Sequence, residues 1–226
     1  MESVKCTLSM LCTVLTLIAV TTPAITETKF GVKVGASSST LQRTSSGIDE
    51  DQKSLWYFSG GIFLRFDLNP TVKFQPELLY VRKGARWEDS EESDNYSASY
   101  KSEQKWEYLE IPMLMVITPK TNMSISPNFY LGPAPAFLLK ARYDYSYNSS
   151  YSENGYTYNN SFSYSGTIGG VRNVDIGIIL GGGLDIPAGD GLITTDIRYN
   201  LGLGNLYNTS SKIHHRCLSF LVGYRF

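Results

Sequence analysis

Cysteine and histidine are nearly missing from this chain of 226 residues, which has three of the first and two of the second. Cys6 and Cys12 fall within the first 24 residues, leaving Cys217 alone in the rest. The rest can therefore form no internal disulfide and no cysteine-based metal cluster. With only His214 and His215 present, a histidine-dependent catalytic base has a single place to be. Net charge is missing too: 20 Lys and Arg against 21 Asp and Glu give −1, which offers no whole-chain attraction to nucleic acid. Long apolar runs are absent after Val20, and a spanning helix needs roughly 20 such residues.

The one apolar run, residues 8–20, follows Lys5 and is followed by Thr22-Pro23-Ala24. A basic start, an apolar core of this length and small residues at the exit predict a secretory signal peptide over residues 1–24, cleaved after Ala24. The competing reading, a membrane anchor, calls for a longer run. Cys12 sits inside the run with Ser9 before it, a poor context for lipidation. Residues 25–226 then make one domain.

What the chain has in quantity is tyrosine (16) and glycine (20), distributed through segments of alternating character. In 217–226, Leu218, Phe220, Val222, Tyr224 and Phe226 fall on one face of an extended strand, and Cys217, Ser219, Leu221, Gly223 and Arg225 on the other. Similar segments occur at 29–37, 55–68, 71–83, 105–117, 128–145, 173–186 and 192–203. The fifth has the least regular pattern, because Gly132, Pro133 and Pro135 disturb it. Connections are short around Asn69, Asn122 and Gly189, and long and polar over 38–54, 84–104, 146–172 and 204–215. Short and long strictly alternate. That sorting, with one apolar face per strand, predicts an all-β, eight-stranded antiparallel up-and-down transmembrane β-barrel of the outer-membrane type. Closure satisfies every backbone N–H and C=O in lipid, where an open edge could not. Trp56, Trp87, Trp106, Tyr108, Tyr143 and Tyr145, near strand ends, are expected in its interfacial girdles. A soluble lipocalin-like barrel is the alternative, and it would stay dispersed without detergent.

Gln75-Pro76-Glu77-Leu78-Leu79-Tyr80, Lys83-Gly84, Tyr108-Leu109-Glu110-Ile111-Pro112, Tyr130-Leu131-Gly132-Pro133 and Tyr224-Arg225-Phe226 together resemble the porin-family, PorT-like outer-membrane β-barrel domain of Bacteroidota. The resemblance spans residues 25–226. It implies a barrel inserted into the bacterial cell outer membrane by the barrel-assembly machinery through its last strand, with outer-membrane lipid as its surroundings. It implies no reaction, and only a loose link to cargo secretion.

Three groups of residues are candidates for function. Lys33, Arg65, Glu77, Glu110, Asp175, Asp196, Arg198 and Arg225 are expected to face inward. They could line a narrow path for small solutes, but eight strands leave an interior that side chains fill, which favours a packed salt-bridge network. Tyr145, Tyr147, Tyr151, Tyr156 and Tyr158 stand among Ser and Asn in an external loop suited to a protein or glycan partner. His214 and His215, near Ser210 and Ser211, are the one candidate base for an outer-membrane lipid-modifying enzyme and are expected in a solvated loop mouth. The acidic run Glu88-Asp89-Ser90-Glu91-Glu92-Ser93-Asp94 lacks the spacing of a calcium loop, and Gly181-Gly182-Gly183 lacks the Lys-Ser/Thr of a phosphate loop. The expected protein is a monomer without cofactor, metal or nucleic acid. It is non-catalytic, a surface-interaction or secretion-accessory module, with a narrow channel as the second reading and an enzyme as the third.

Overall fold

The computed structural model describes residues 28–43, 47–48, 52–208 and 213–226, and every regular element among them is a β-strand. The predicted signal segment and Ser210 and Ser211 lie outside the described residues. In chain order the strands are β1 (Thr28–Arg43), the two-residue β2 (Gly47–Ile48) and β3 (Gln52–Lys53), β4 (Leu55–Asp67), β5 (Val72–Ser93) and β6 (Tyr96–Glu110). There follow β7 (Met113–Ile117), β8 (Ser126–Glu153), β9 (Tyr156–Thr167), β10 (Val174–Ala188), β11 (Gly191–Gly202) and β12 (Ile213–Arg225).

β6 and β7 act as one strand. Glu110 opposite Leu79 and Met113 opposite Pro76 keep a single register through Ile111-Pro112. Across the gap Ile111 N–H donates to the Pro135 carbonyl at 2.8 Å and Glu77 N–H to that of Pro112 at 2.9 Å. With that pair joined, the ring runs β1, β4, β5, β6–β7, β8, β10, β11, β12 and back to β1, all antiparallel. The seam pairs β1 with β12 from Gly31 opposite Arg225 to Arg43 opposite Ile213. Followed once around the eight pairings, the register returns to β1 about ten residues further along, a stagger that tilts the strands.

The alternation fixes which side chains meet lipid. Val34, Ile62, Leu78, Met115, Leu131, Leu180, Ile197 and Val222 stand exposed on the outer face. Their sequence neighbours face inward and are buried, except for half-buried glycines such as Gly35, Gly61, Gly181 and Gly223. Aromatic rings border this apolar band. At the end bearing the short turns, Phe30 stacks on Phe226 at 6.0 Å, Tyr224 meets Phe226 at 4.9 Å and Phe66 meets Phe74 at 6.4 Å. At the other end Trp56 packs on Phe220 at 5.7 Å. Trp106 and Tyr108, expected in the girdle, are instead fully buried inside. They share the strand face of Glu110, so position along a strand suggested lipid where parity dictated lumen. Trp87 is partly buried against the interior, and Tyr143 and Tyr145 lie beyond the band.

The expected long loops at 84–104 and 146–172 are largely strand. β5 and β6 run on to a tight turn at 94–95, and β8 and β9 form a hairpin whose turn residues Asn154 (φ 53°) and Gly155 (φ 81°) both have the positive φ of a type I′ turn. Tyr145, Tyr147, Tyr151, Tyr156 and Tyr158 thus stand on paired strands, not on a loop. Gly132, Pro133 and Pro135 keep regular alternation. The irregularity of β8 lies at Leu139, the extra residue of a β-bulge between Tyr108 opposite Leu138 and Glu107 opposite Lys140.

Val222 sits on the outer face of β12 between the rings of Phe220 and Tyr224, opposite Val34 across the seam. Val222→Arg should lower the free energy of unfolding by about 2–4 kcal/mol, read from urea-dependent refolding into lipid vesicles. An unchanged midpoint would place this face outside the hydrocarbon.

Candidate functional site

The interior is filled in three layers. Nearest the short-turn end is an ionic lattice. Lys33 Nζ donates to Glu77 Oε1 at 2.9 Å and to Asp196 Oδ2 at 2.8 Å. Arg198 grips both oxygens of Glu77, at 2.6 and 2.9 Å, and reaches Asp196 at 2.7 Å. Tyr130 donates its hydroxyl to Asp196 at 2.6 Å. Gln75 links this group to the next, donating to Glu77 at 2.6 Å and accepting from Arg65 Nε at 2.6 Å. Asp185 closes the lattice by accepting from Arg65 at 2.7 Å and from Arg225 at 2.9 Å. The Lys33 ammonium also rests 4.4 Å from the centre of the Phe63 ring. A side chain at Gly31 would collide with that ring, so the glycine makes its room.

Above the lattice lies a thin polar layer. Lys83 donates to Glu110 at 2.8 Å, and Asn200 donates to the same carboxylate at 3.0 Å. Between this layer and Arg198, the small side chains of Ser37, Ser59, Cys217 and Ser219 leave a cavity of about 20 Å³. Space of that size suits a single water. The third layer is apolar. Trp106, Tyr108, Leu41, Ala85, Ala136, Ala141 and Leu206 form one cluster, with Trp87, Leu138, Ile168, Val171, Tyr207 and Ile213 packed against it. His215 is buried within it, edge-on to Trp106 at 5.2 Å and to Tyr108 at 5.7 Å.

All eight residues expected to face inward lie buried in the barrel. Seven join ion pairs. Among the described residues Asp175 makes none, and its Oδ1 accepts from the Ile176 N–H at 2.8 Å. Sequence reasoning passed over Lys83 and Asp185, the partners of Glu110 and of Arg65 with Arg225. Parity would have found both, since Lys83 is in phase with Glu77 and Asp185 with Asp175. With them, among the described residues, five buried cations (Lys33, Arg65, Lys83, Arg198, Arg225) balance five buried carboxylates (Glu77, Glu110, Asp175, Asp185, Asp196) on the lumen face, the sixth buried carboxylate, Glu103, being out of phase with them on β6. The solvated mouth expected for both histidines is wrong for His215, which the aromatic layer encloses because it shares the inward face of β12 with Cys217. His214 is half-buried at the rim, its Nδ1 2.8 Å from the Gly204 carbonyl oxygen.

Beyond the apolar band, β5, β6, β8 and β9 continue as a projecting sheet. One side is aromatic: Tyr96 lies opposite Tyr151, Tyr100 opposite Tyr147, Tyr145 opposite Tyr164 and Tyr147 opposite Phe162. Tyr100 and Tyr145 rings meet at 5.3 Å, and Tyr143 and Tyr164 at 5.7 Å. This side prolongs the lumen face, since Tyr100 and Tyr96 are in phase with Trp106. Tyr156, Tyr158, Phe162 and Tyr164 remain well exposed on it. The other side is polar, with Lys105 donating to Asp144 at 2.8 Å and Ser165 at 2.6 Å. Those two hydrogen bonds hold the Asp144 carboxyl below its ordinary range.

Residues 24–208 match a family model described as the outer membrane protein beta-barrel domain. Among solved structures, the chain is similar to Ail, the attachment invasion locus protein of Yersinia pestis. Identity there is 16%, 88% of this chain and 99% of that one are covered, and the TM-score is 0.37. Neisserial surface protein A is 15% identical over 87% of this chain and 95% of that one, with a TM-score of 0.40. OprG of Pseudomonas aeruginosa is 9% identical over 88% and 95%, with a TM-score of 0.30. No curated protein matches the sequence.

Breaking the lattice at its centre should be costly. Glu77→Gln leaves Lys33 and Arg198 sharing one carboxylate, with an expected loss of about 3–5 kcal/mol in vesicle refolding titrations. The paired change Lys33→Met with Glu77→Leu should cost less than Glu77→Gln alone, because it removes a charge of each sign. Equal losses would mean the pairing is not what the fold depends on.

Proposed function

Because the chain belongs to the outer membrane β-barrel domain family and resides in the bacterial outer membrane, we propose that it is a non-catalytic, non-conducting envelope protein that presents its projecting sheet to a partner outside the cell. The observation that carries this reading is the pairing of a filled lumen with an aromatic surface held clear of the membrane. Eight strands enclose little more than side-chain volume. Here that volume holds interlocked ion pairs of both signs capped by an indole, a phenol and an imidazole. Tyrosine on a preformed sheet offers broad amphipathic contact at small entropic cost, with Ser and Asn as adaptable hydrogen-bonding neighbours. Such a surface suits a glycan or a protein.

The motifs that resemble the PorT-like group support an accessory part in secretion as a variant of the same reading. In that variant the cargo or its machinery is the partner. A narrow channel is the competing function. Its path would have to open the Trp106–His215 layer and the Glu77 lattice together. A lipid-modifying enzyme is less well supported, because His215 is enclosed by Trp106 and Tyr108. The N-terminal run supports export by a signal peptide cleaved after Ala24, followed by insertion by the barrel-assembly machinery.

Purified protein refolded into a planar bilayer should give no discrete conductance steps. Steps that change size on Glu110→Gln or Arg198→Gln would establish a pore. Vesicles carrying the protein should bind a panel of surface polysaccharides or cell-surface proteins, and shortening the β8–β9 hairpin by residues 146–165 should abolish that binding. Binding that survives the deletion would move the interaction elsewhere. Material purified from the outer membrane should begin at Ile25.

A further inference from the structure

The projecting sheet has two edges, and they are built differently. β5 forms one. Beyond Trp87, where β3 stops covering it, that edge runs through Glu88, Asp89, Glu91 and Glu92. Charge of one sign is a common guard against strand-to-strand pairing. β9 forms the other. Its sequence, Tyr-Thr-Tyr-Asn-Asn-Ser-Phe-Ser-Tyr-Ser-Gly-Thr, has no charged residue and no proline. It pairs with β8 over its whole length without a register shift, and among the described residues no strand pairs with its other side. Among the described residues nothing guards this edge.

The direction of its free backbone groups can be read from one bond. Ile168 N–H donates to the Ala141 carbonyl at 3.1 Å, continuing the register in which Arg142 faces Thr167. Hydrogen-bonded and non-bonded pairs alternate along an antiparallel ladder. The even residues of β9 therefore bond β8, while Thr157, Asn159, Ser161, Ser163 and Ser165 turn their N–H and C=O groups to the open side. A row of such groups, on a straight and uncharged strand, is a template for one more strand.

The geometry points to a second copy of this chain as that strand, joined β9 to β9. This rests on the hairpin being the interaction element. Self-pairing suits β9 because its two faces match themselves: aromatic rings alternate with hydroxyls and amides, and like meets like without charge repulsion. The acidic β5 edge repels its own copy, so self-association has one edge to use. Joined antiparallel, the aromatic sides of two sheets merge into one surface; joined parallel, the aromatic side of one sheet continues the polar side of the other. Two molecules in one membrane are related by an axis along the membrane normal, which keeps strand direction and makes the new pairing parallel. Molecules in facing membranes would pair antiparallel.

The test uses the full protein in lipid vesicles, with single cysteines placed on β9. Cys217 is buried, so an introduced thiol is the one that reacts. Ser161→Cys, near the middle of β9, should give a disulfide-linked dimer on mild oxidation. Thr157→Cys should do so only in the parallel arrangement, because antiparallel pairing carries its counterpart to the far end of the strand. Either pattern supports the inference, and clustering of vesicles should accompany the antiparallel one. Ser163→Pro removes an outward N–H and no bond to β8, so adding it to Ser161→Cys should reduce the dimer to background. A dimer that is absent, or that persists in the proline variant, would overturn the edge pairing. If ligand binding falls on hairpin deletion while Ser163→Pro leaves the dimer unchanged, the edge inference fails and the interaction reading stands.

Discussion

Glu77 is the residue around which the interior is arranged. One carboxylate accepts from Lys33, Arg198 and Gln75, and so connects β1, β5 and β11 across the lumen. An unpaired charge in such a space would carry a penalty of several kcal/mol, so each member fixes the position of the next. Arg65 reaches Gln75 on one side and Asp185 on the other, and Asp185 also holds Arg225 in the final strand. The last inward side chain of the chain is thereby tied to β4 through a single aspartate. Membrane barrels lack the hydrophobic effect as an inward force, since lipid is as apolar as their outer face. Here ion pairing and aromatic packing take over that role.

Much of this was legible in the sequence. A strand alternates with period two whatever surrounds it, so Val222 and Arg225 announce their faces without any knowledge of the fold. By the same rule Phe63 and Leu79 belong inside although both are apolar, and both are buried there. Phe63 fits because Gly31 faces it and Lys33 covers it, a cross-strand arrangement that no single strand reveals. Trp106 was misplaced for a related reason. Composition near strand ends points to a girdle, while phase with Glu110 points to the lumen, and phase decides.

The hairpins were harder to see. Ser, Asn and acidic residues over 84–104 and 146–172 read as loop, because propensity scales reflect half-buried sheets and these strands are wetted on both sides. The stronger signal was Asn154-Gly155 between two tyrosine-bearing stretches, the two-residue pattern that turns a hairpin. Partner strands also matter. Among the described residues β9 is held by β8 alone, and that pairing is a tertiary fact with little trace in the hydrophobic pattern.

Leu139 has a consequence of a different kind. Below it the even residues of β8 face inward, and above it the odd ones do. The strand therefore carries two reading frames, one matched to lipid and one to solvent, and the bulge is the splice between them. Length changes elsewhere in the upper hairpin keep every tyrosine on its side only in steps of two residues per strand. Loss of Leu139 itself would erase the splice and leave both faces intact. Evolution could thus lengthen or shorten the external sheet as a ruler is cut, in fixed increments, while the transmembrane part kept its own frame.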